Sequence, residues 1–322
     1  PIKLTEFIED KVYSRNTVEE VYAQVLADLT EAEKCLSATE RKSIYRADIT
    51  AVCHLRSRVH LYMQNWEEAV RYAQKTLDKQ SALFDLNHMG ETASFLNPEL
   101  PEVIFTMGNG GLSYSLSDNA GDFNVSEDLW QTYTDDNDLR RTYFIKHDGS
   151  YPAYVKEGDR SDLSRSALSN NFLFRTAEAW LNLAEASAYA GDETTARNAL
   201  DNLRRHRLEN PAEVTESGAD LIRFIRDERR RELCLEGHRW FDLRRYMVCE
   251  KEPFSKPIRH SYTVFEEMWW ISSYEPVQSD YYELKANDDA YTLPIPKEVI
   301  EYNTGMPSNK RDARPIVETI NY

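Results

Sequence analysis

The densest group of chemically capable residues lies between Arg226 and Tyr246, where three glutamates recur every four positions among many arginines. Glu228, Glu232 and Glu236 therefore share one face of a predicted helix, and their carboxylates would repel one another without nearby cations. A glycosidase needs two carboxyl groups that flank a sugar, roughly 5 to 9.5 Å apart. Carboxylates on one helix face lie on the same side, so the spacing favours a structural network of carboxylates and arginines.

We predict that this network locks two helices together through bidentate hydrogen bonds. Its predicted members are Glu228, Arg229, Glu232, Glu236, Arg239 and Asp242, with Arg245 as a further counter-ion. His238 and Asp242 lie one helical turn apart and could hold a metal ion, but no third ligand accompanies them. A capped or buried histidine is the favoured interpretation, and no metal is expected.

Other catalytic signatures are missing from the sequence. It contains no Gly-x-Ser-x-Gly nucleophile motif, no glycine-rich phosphate loop and no His-Glu-x-x-His zinc motif. Cys35, Cys53, Cys234 and Cys249 lack the paired spacing of a zinc or redox site, and buried, unpaired thiols are expected. We therefore assign no catalytic residue and expect neither enzymatic activity nor a cofactor.

Aromatic residues are concentrated in one stretch outside the predicted helix pairs. The thirty residues from 262 to 291 contain Tyr262, Phe265, Trp269, Trp270, Tyr274, Tyr281, Tyr282 and Tyr291. A flat ring can stack on the apolar face of a sugar, while its OH or NH group bonds to hydroxyls. We predict ligand contacts for Trp269, Trp270 and Tyr274, and for Tyr114 in a second loop. The alternative is that these rings cover the scaffold as a secondary core.

The elements that must position these residues are mostly helices. Thr17 and Glu20 form a capping box at the start of one helix, whose apolar residues follow the period of an amphipathic stripe. Further helices are predicted over 48–63, from 66 onwards, over 171–207 in two parts, and over 220–246 in two parts. Ala69 and Ala196 occupy equivalent early positions in the second helices of two pairs, and such small residues allow close helix packing.

These patterns predict a mostly α fold of tetratricopeptide-like helical hairpins, packed with a loop-rich region that contains a few short strands. Residues 1–86 are expected to be helical and to include the first hairpin. Residues 87–167 are expected to form a loop-rich insertion with short strands, and residues 168–247 the remaining hairpins. Residues 248–322 are predicted to be an irregular C-terminal region that packs on the scaffold, within one overall fold.

Charge and length exclude several classes of function. The chain has 322 residues with 55 acidic and 39 basic side chains, which gives a formal net charge of −16. Such a charge repels nucleic-acid phosphates and anionic lipid headgroups, so neither is an expected partner. No stretch reaches the roughly 18 consecutive apolar residues of a membrane-spanning helix.

Three stretches of the sequence resemble the SusD/RagB family of nutrient-binding outer-membrane lipoproteins. The first is carried by Arg175, Ala177, Glu178, Leu181, Ala184, Glu185 and Ala186. The second is carried by Glu228, Arg229, Glu232, Leu233, Glu236, Gly237, Arg239, Asp242, Leu243 and Arg245. The third is carried by Pro294, Ile295, Pro296, Ile300 and Asn303. The similarity extends over nearly the whole chain.

The resemblance implies a SusD-like fold and a protein that binds a ligand without catalysis. Family members are lipid-anchored at the surface of Bacteroidetes-type bacteria, where they capture oligosaccharides or other nutrients for a SusC-type TonB-dependent transporter. The lipid anchor is expected ahead of the residues of this chain. Members usually carry a further segment before the helix that here follows Thr17, and part of the ligand site is expected in it.

The sequence departs from the family pattern near its end, where Val299 replaces an acidic residue. Fine ligand specificity therefore does not carry over. Two other functions stay open at this point. One is a tetratricopeptide-like scaffold that binds proteins without binding glycans, and the other is a hydrolase that acts on glycans.

Overall fold

The computed structural model describes residues 1–90, 94–108, 125–147, 152–157, 168, 172–268 and 273–322. The chain divides into two compact units. Unit 1 combines Pro1–Val21 with Trp240–Tyr322, and unit 2 is Tyr22–Arg239. Within the described residues, none of the helices combines the length and the hydrophobicity that a membrane span requires.

The described elements are mainly helices, and the predicted mostly α fold is confirmed. The helices are α1 (Val18–Leu36), α2 (Ile49–Tyr62), α3 (Trp66–Leu77), α4 (Glu127–Trp130), α5 (Arg140–Tyr143), α6 (Thr176–Ala190), α7 (Glu193–Arg205), α8 (Gly218–Glu232), α9 (Arg239–Met247) and α10 (Lys297–Tyr302). The strands are β1 (Val103–Thr106), β2 (Ile145–Lys146), β3 (Ala153–Tyr154), β4 (Leu173–Arg175), β5 (Ile258–Met268), β6 (Ser273–Leu284) and β7 (Glu318–Asn321).

Local signals explain where the first helix begins. The Thr17 amide donates to the Glu20 carboxylate at 2.9 Å, and the Glu20 amide donates to Thr17 Oγ1 at 3.1 Å. This reciprocal pair is the predicted capping box. Along α1 only Leu29 is fully buried. The prediction of a buried Cys35 is wrong, because this residue lies on the exposed side of α1, whereas the other three thiols are buried.

The first two predicted helix pairs form in unit 2, whereas the third is divided, because α8 belongs to unit 2 and α9 belongs to unit 1 from Trp240 onwards. α2 and α3 pack together, and α6 packs against α3, α7 and α8. One apolar cluster joins α3, α6, α7 and α8. Gly191 ends α6 with φ of +90°, a left-handed conformation that glycine adopts without steric cost. Ala69 and Ala196 are fully buried, in agreement with the close packing expected from their small side chains.

The loop-rich part of unit 2 has an apolar core of its own. Phe95, Phe144 and Ile145 are completely buried there. β1 pairs with β4 in an antiparallel manner, and β2 pairs with β3. Because β4 runs directly into α6, this pairing ties the loop-rich part to the start of a scaffold helix. Arg175 is the last residue of β4 and the N-cap of α6.

Unit 1 contains a three-stranded antiparallel sheet in the order β5, β6, β7. The prediction of an irregular region is therefore wrong for β5 and β6, which are 11 and 12 residues long. All 11 residues of β5 are exposed or half-buried, so the strand has no buried face. Without a buried face there is no alternation of apolar and polar residues to reveal a strand in the sequence.

Candidate functional site

The three glutamates of the arginine-rich string project into a buried charge network in unit 2. Glu232 lies at its centre and contacts three arginines that are fully buried. Its carboxylate accepts from Arg207 Nε at 2.9 Å, from Arg175 Nη1 at 3.1 Å and from Arg140 Nη1 at 3.2 Å. Together the three guanidiniums hold the pKa of Glu232 well below its usual range, although burial alone would raise it.

Arg175 connects this centre to the turn that follows α8. Its Nε donates to Glu236 at 2.9 Å, its Nη2 donates to the same carboxylate at 2.7 Å, and its Nη1 donates to Glu102 at 2.7 Å. Lys156 donates to Glu236 at 2.7 Å and to the Glu232 carbonyl oxygen at 2.8 Å. The bidentate pairing and the lysine together satisfy charges that would otherwise be costly to bury.

Arg140 closes the network on its other side. It donates two hydrogen bonds of 2.8 Å to Asp138, and its Nη1 lies 2.7 Å from Glu228. Burial alone would raise the pKa of Glu228, but the guanidiniums of Arg140, Arg231 and Arg204 outweigh it and hold this pKa at about 2. Glu228 is thus a permanently ionised structural group at neutral pH.

A second buried cluster surrounds Glu178 of α6. His54 Nε2 lies 2.7 Å from this carboxylate and donates to it, because an ionised carboxylate can only accept a hydrogen bond. Arg58 donates to the same carboxylate from Nε at 2.6 Å. Arg229 lies 3.6 Å from Glu178 and donates to Asn182 at 2.9 Å. Burial lowers the pKa of His54 despite the adjacent carboxylate.

The structure separates the residues that the sequence groups into one network. It brings Glu228, Glu232 and Glu236 together with cations from distant segments, and it places Arg229 in the Glu178 cluster. Asp242 is in unit 1, where it accepts from Arg245 Nε at 2.9 Å. Arg239 is the half-buried first residue of α9. Sequence reasoning missed the cations Arg140, Arg175, Lys156 and Arg207.

The side chains with the strongest potential for ligand contact are on the hairpin of β5 and β6. Near Ser279 the hairpin is held to the end of the chain, since this residue is buried and its hydroxyl lies 3.1 Å from the Tyr322 hydroxyl. β7 pairs with β6 only from Gln278 to Tyr281. We call residues 265–268 and 273–276 the distal ribbon, in which the two strands pair only with each other among the described residues.

The distal ribbon displays two aromatic rings on one face. The register pairs Phe265 with Pro276 and Glu267 with Tyr274. Directly paired residues share a face of a sheet, and so do residues two apart along a strand, so Phe265, Pro276 and Tyr274 lie on the same face. Phe265 is 54% exposed and Tyr274 is 67% exposed, so both rings are open to a ligand.

Of the four residues predicted to contact ligand, Tyr274 is the one that the structure describes. Trp269, Trp270 and Tyr114 lie outside the described residues, and in the sequence the two tryptophans follow β5 directly. Among the described residues there is no group of three or more His, Cys, Asp or Glu side chains that could hold a metal ion. His238 is buried, with its Nδ1 3.4 Å from Arg229 and its Nε2 3.9 Å from Glu178.

Comparison with known proteins identifies the family. The model of the SusD family matches residues 100–311, so this chain belongs to the SusD family. The SusD-like protein P38 of Formosa agariphila is 25% identical, over 74% of this chain and 59% of its own length. The chain thus spans about three fifths of that curated relative.

Solved structures confirm the fold. A SusD superfamily protein of Bacteroides thetaiotaomicron superposes with a TM-score of 0.74 at 21% identity, over 97% of this chain and 70% of its own. A SusD-like carbohydrate binding protein of Bacteroides vulgatus superposes with a TM-score of 0.67 at 23% identity, over 91% of this chain and 66% of its own.

Proposed function

We propose that this protein binds oligosaccharides at the cell surface and passes them to a SusC-type TonB-dependent transporter in the outer membrane. The observation that carries the proposal is the pair of exposed rings on one face of the distal ribbon, next in sequence to Trp269 and Trp270. The carbohydrate-binding relative in Bacteroides vulgatus supports the same ligand class. Trp269, Trp270, Tyr274 and Tyr114 are the proposed ligand contacts.

The exposed rings suit sugar capture for a physical reason. Tyr274 and Phe265 offer flat apolar surfaces to the C–H faces of sugar rings, and the Tyr274 hydroxyl can bond to a sugar hydroxyl. An open surface makes few contacts, and binding must also order a flexible chain. We therefore expect dissociation constants between roughly micromolar and millimolar.

The charge around the rings favours uncharged oligosaccharides. The distal ribbon carries Glu266, Glu267 and Glu275 and no lysine or arginine, and the whole chain has a net charge of −16. Negative potential of this kind repels sulfated or uronic acid polysaccharides. We expect neutral glycans to bind more tightly than anionic glycans with the same backbone.

The proposed role involves no catalysis. The sequence raised the possibility that two of three carboxylates act as the acid and base of a glycosidase. All three are buried and ion-paired: Glu228, Glu232 and Glu236. A polysaccharide cannot reach carboxylates in such a position. These three residues therefore stabilise unit 2 and are not candidates for glycoside hydrolysis.

Replacing both Trp269 and Trp270 by Ala tests the proposal. The assay uses polyacrylamide gels that contain a polysaccharide that slows the migration of the wild-type protein. We expect the double variant to migrate through them without delay and to keep a nearly unchanged melting temperature. Phe241→Ala is a matched control, because Phe241 is 51% exposed on α9 and lies outside the hairpin. A variant that loses stability and keeps full retention would show that the tryptophans are core residues and contradict the proposal.

The interaction-scaffold alternative gives a different result in the same experiments. It predicts that no glycan on an array binds the wild-type chain, while an outer-membrane barrel protein still co-purifies with it. Transfer to a transporter predicts both glycan binding and co-purification. Chromatography after incubation with polysaccharides checks for hydrolysis, and we expect no cleavage products.

A further inference from the structure

Unit 2 contains a cleft of about 490 Å³ beside α4 and α5, and its lining shares only Asp138 with the charge network described above. Its volume is in the range of small-molecule binding sites. Side chains that carry hydrogen-bonding groups or a ring dominate the lining: Trp130, Asp136, Asn137, Arg141, His147 and Glu209. The cleft is therefore polar with one large aromatic wall.

Trp130 is fixed in place by the local structure. It is the last residue of α4, which begins where Ser126 accepts a hydrogen bond from the Leu129 amide. The indole packs against the apolar core of the loop-rich part. The guanidinium of Arg141 lies 5.1 Å from the ring centroid, and the His147 ring approaches edge-on at 5.3 Å. These contacts position the ring, and the Arg141 guanidinium over it forms part of the surface that a ligand would meet.

The indole N–H of Trp130 is available to a ligand. It donates no hydrogen bond to any residue in the described part of the chain, although neighbouring side chains such as Thr132 and Tyr133 do donate. It is also not one of the buried side-chain atoms that lack a partner. An indole N–H without an internal acceptor, on a residue that lines a cleft, can donate to a ligand oxygen.

The remaining side chains of the cleft fit hydroxyl groups better than anions. Arg141 is paired with Asp136 and retains further N–H donors, while the Asn137 amide donates to Asp135 and keeps its oxygen as an acceptor. Asp138 and Glu209 add two further carboxylates to the lining, and Lys146 adds a second cation. Three carboxylates thus outnumber the two Lys and Arg side chains and disfavour a phosphate or sulfate, whereas a sugar hydroxyl can accept from Arg141 and donate to Asp136.

We propose that this cleft is a second carbohydrate subsite, which takes one or two neutral sugar units against Trp130 and is distinct from the distal ribbon of unit 1. The proposal rests on the proposed oligosaccharide-binding function. It assigns the apolar contact to Trp130 and the polar contacts to Arg141 and Asn137.

Fluorine NMR of the full chain labelled with fluorotryptophan tests this site directly. The chain has six tryptophans, and the Trp130 resonance is assigned by its loss in Trp130→Phe. The probes are neutral disaccharides (maltose, cellobiose, lactose, xylobiose and chitobiose) at millimolar concentration, with digalacturonate as the anionic comparison. We expect at least one neutral disaccharide to move the Trp130 resonance in a saturable manner, and digalacturonate to move it at least fivefold less.

Asn137→Ala and Tyr274→Ala separate the two sites. Asn137 is exposed, so its replacement should leave the fold intact and weaken the Trp130 response at least threefold. Tyr274→Ala should leave that response unchanged. A Trp130 resonance that stays fixed while the wild-type chain is retained by polysaccharide gels would overturn the subsite and preserve the proposed function. Absence of both responses would overturn both proposals.

Discussion

The buried charge network of unit 2 and the distal ribbon of unit 1 use glutamate under opposite conditions. Glu232 is fully buried and contacts three arginines, whereas Glu266 and Glu275 face each other across the ribbon and are exposed. Water and salt screen the exposed carboxylates, but a buried carboxylate depends on its protein partners. The free energy of unfolding therefore depends strongly on the network. Substitutions in the distal ribbon can alter ligand binding and change that free energy little.

Glu232→Gln is expected to produce the largest effect. The substitution keeps the shape of the side chain and removes the charge that Arg140, Arg175 and Arg207 share. Removing one partner of a buried ion pair costs about 3 to 5 kcal/mol of unfolding free energy. Urea unfolding followed by circular dichroism measures this loss. Glu267→Gln on the distal ribbon is the control. A comparable loss in both variants would contradict the conclusion that the buried glutamate contributes more to stability than the exposed one.

Acid should weaken the network over a defined range of pH. The pKa of Glu228 is about 2 in the folded chain against 4.5 ordinarily, so the folded state binds fewer protons than the unfolded state. The stabilisation is complete above about pH 4.5 and is lost as pH falls towards 2, for a total of about 3 kcal/mol. Urea unfolding at several pH values should show a shallower decline for Glu228→Gln. Equal slopes in the variant and the wild type would contradict this assignment.

Tyr274→Ala should change binding and leave stability nearly unaltered. Losing one stacked ring is expected to weaken affinity for the retained oligosaccharide about tenfold, which corresponds to about 1.4 kcal/mol. Affinity gel electrophoresis measures the change. Tyr302→Ala serves as the control, because Tyr302 is 58% exposed but lies on α10. If Tyr302→Ala weakened retention as much as Tyr274→Ala, the ribbon would not be the binding surface.

Arg259→Ala is expected to have the smallest effect. Arg259 pairs with Glu318 between β5 and β7, and both side chains are about half exposed. Exposed ion pairs contribute between roughly 0 and 1 kcal/mol. Urea unfolding should show a change in that range. A loss of more than about 2 kcal/mol would show that this exposed ion pair contributes to stability as much as the buried pairs of the network do.

The helices could be predicted from the sequence because their signals are local. The capping box at Thr17 and the glycine at 191 act within a few residues of the helix ends that they define. The small residues Ala69 and Ala196 likewise indicate close packing from their own positions. The family resemblance adds the overall fold, since its three motifs lie along α6, from α8 into α9, and around α10.

The site could not be predicted to the same extent. Glu228, Glu232 and Glu236 were recognisable as a set. Their cations come from β4, α5 and the segments around Lys156 and Arg207, so only tertiary structure brings them together. The β5 and β6 hairpin lacks a buried face over most of its length, which removes the alternation that marks a strand. The cleft at Trp130 was missed because a single tryptophan in a short helix carries no sequence pattern.

The order of the network residues along the chain has a consequence for synthesis on the ribosome. Arg140, Arg175 and Arg207 all leave the ribosome before Glu232, which they share. Asp138 and Glu102 emerge earlier and pair with these guanidiniums, but two carboxylates do not balance three buried cations, so this part of unit 2 stays undercompensated until the end of α8 follows. Completion of the fold is thereby coupled to the emergence of the end of α8, and translation that stops before it should yield an open, protease-sensitive fragment.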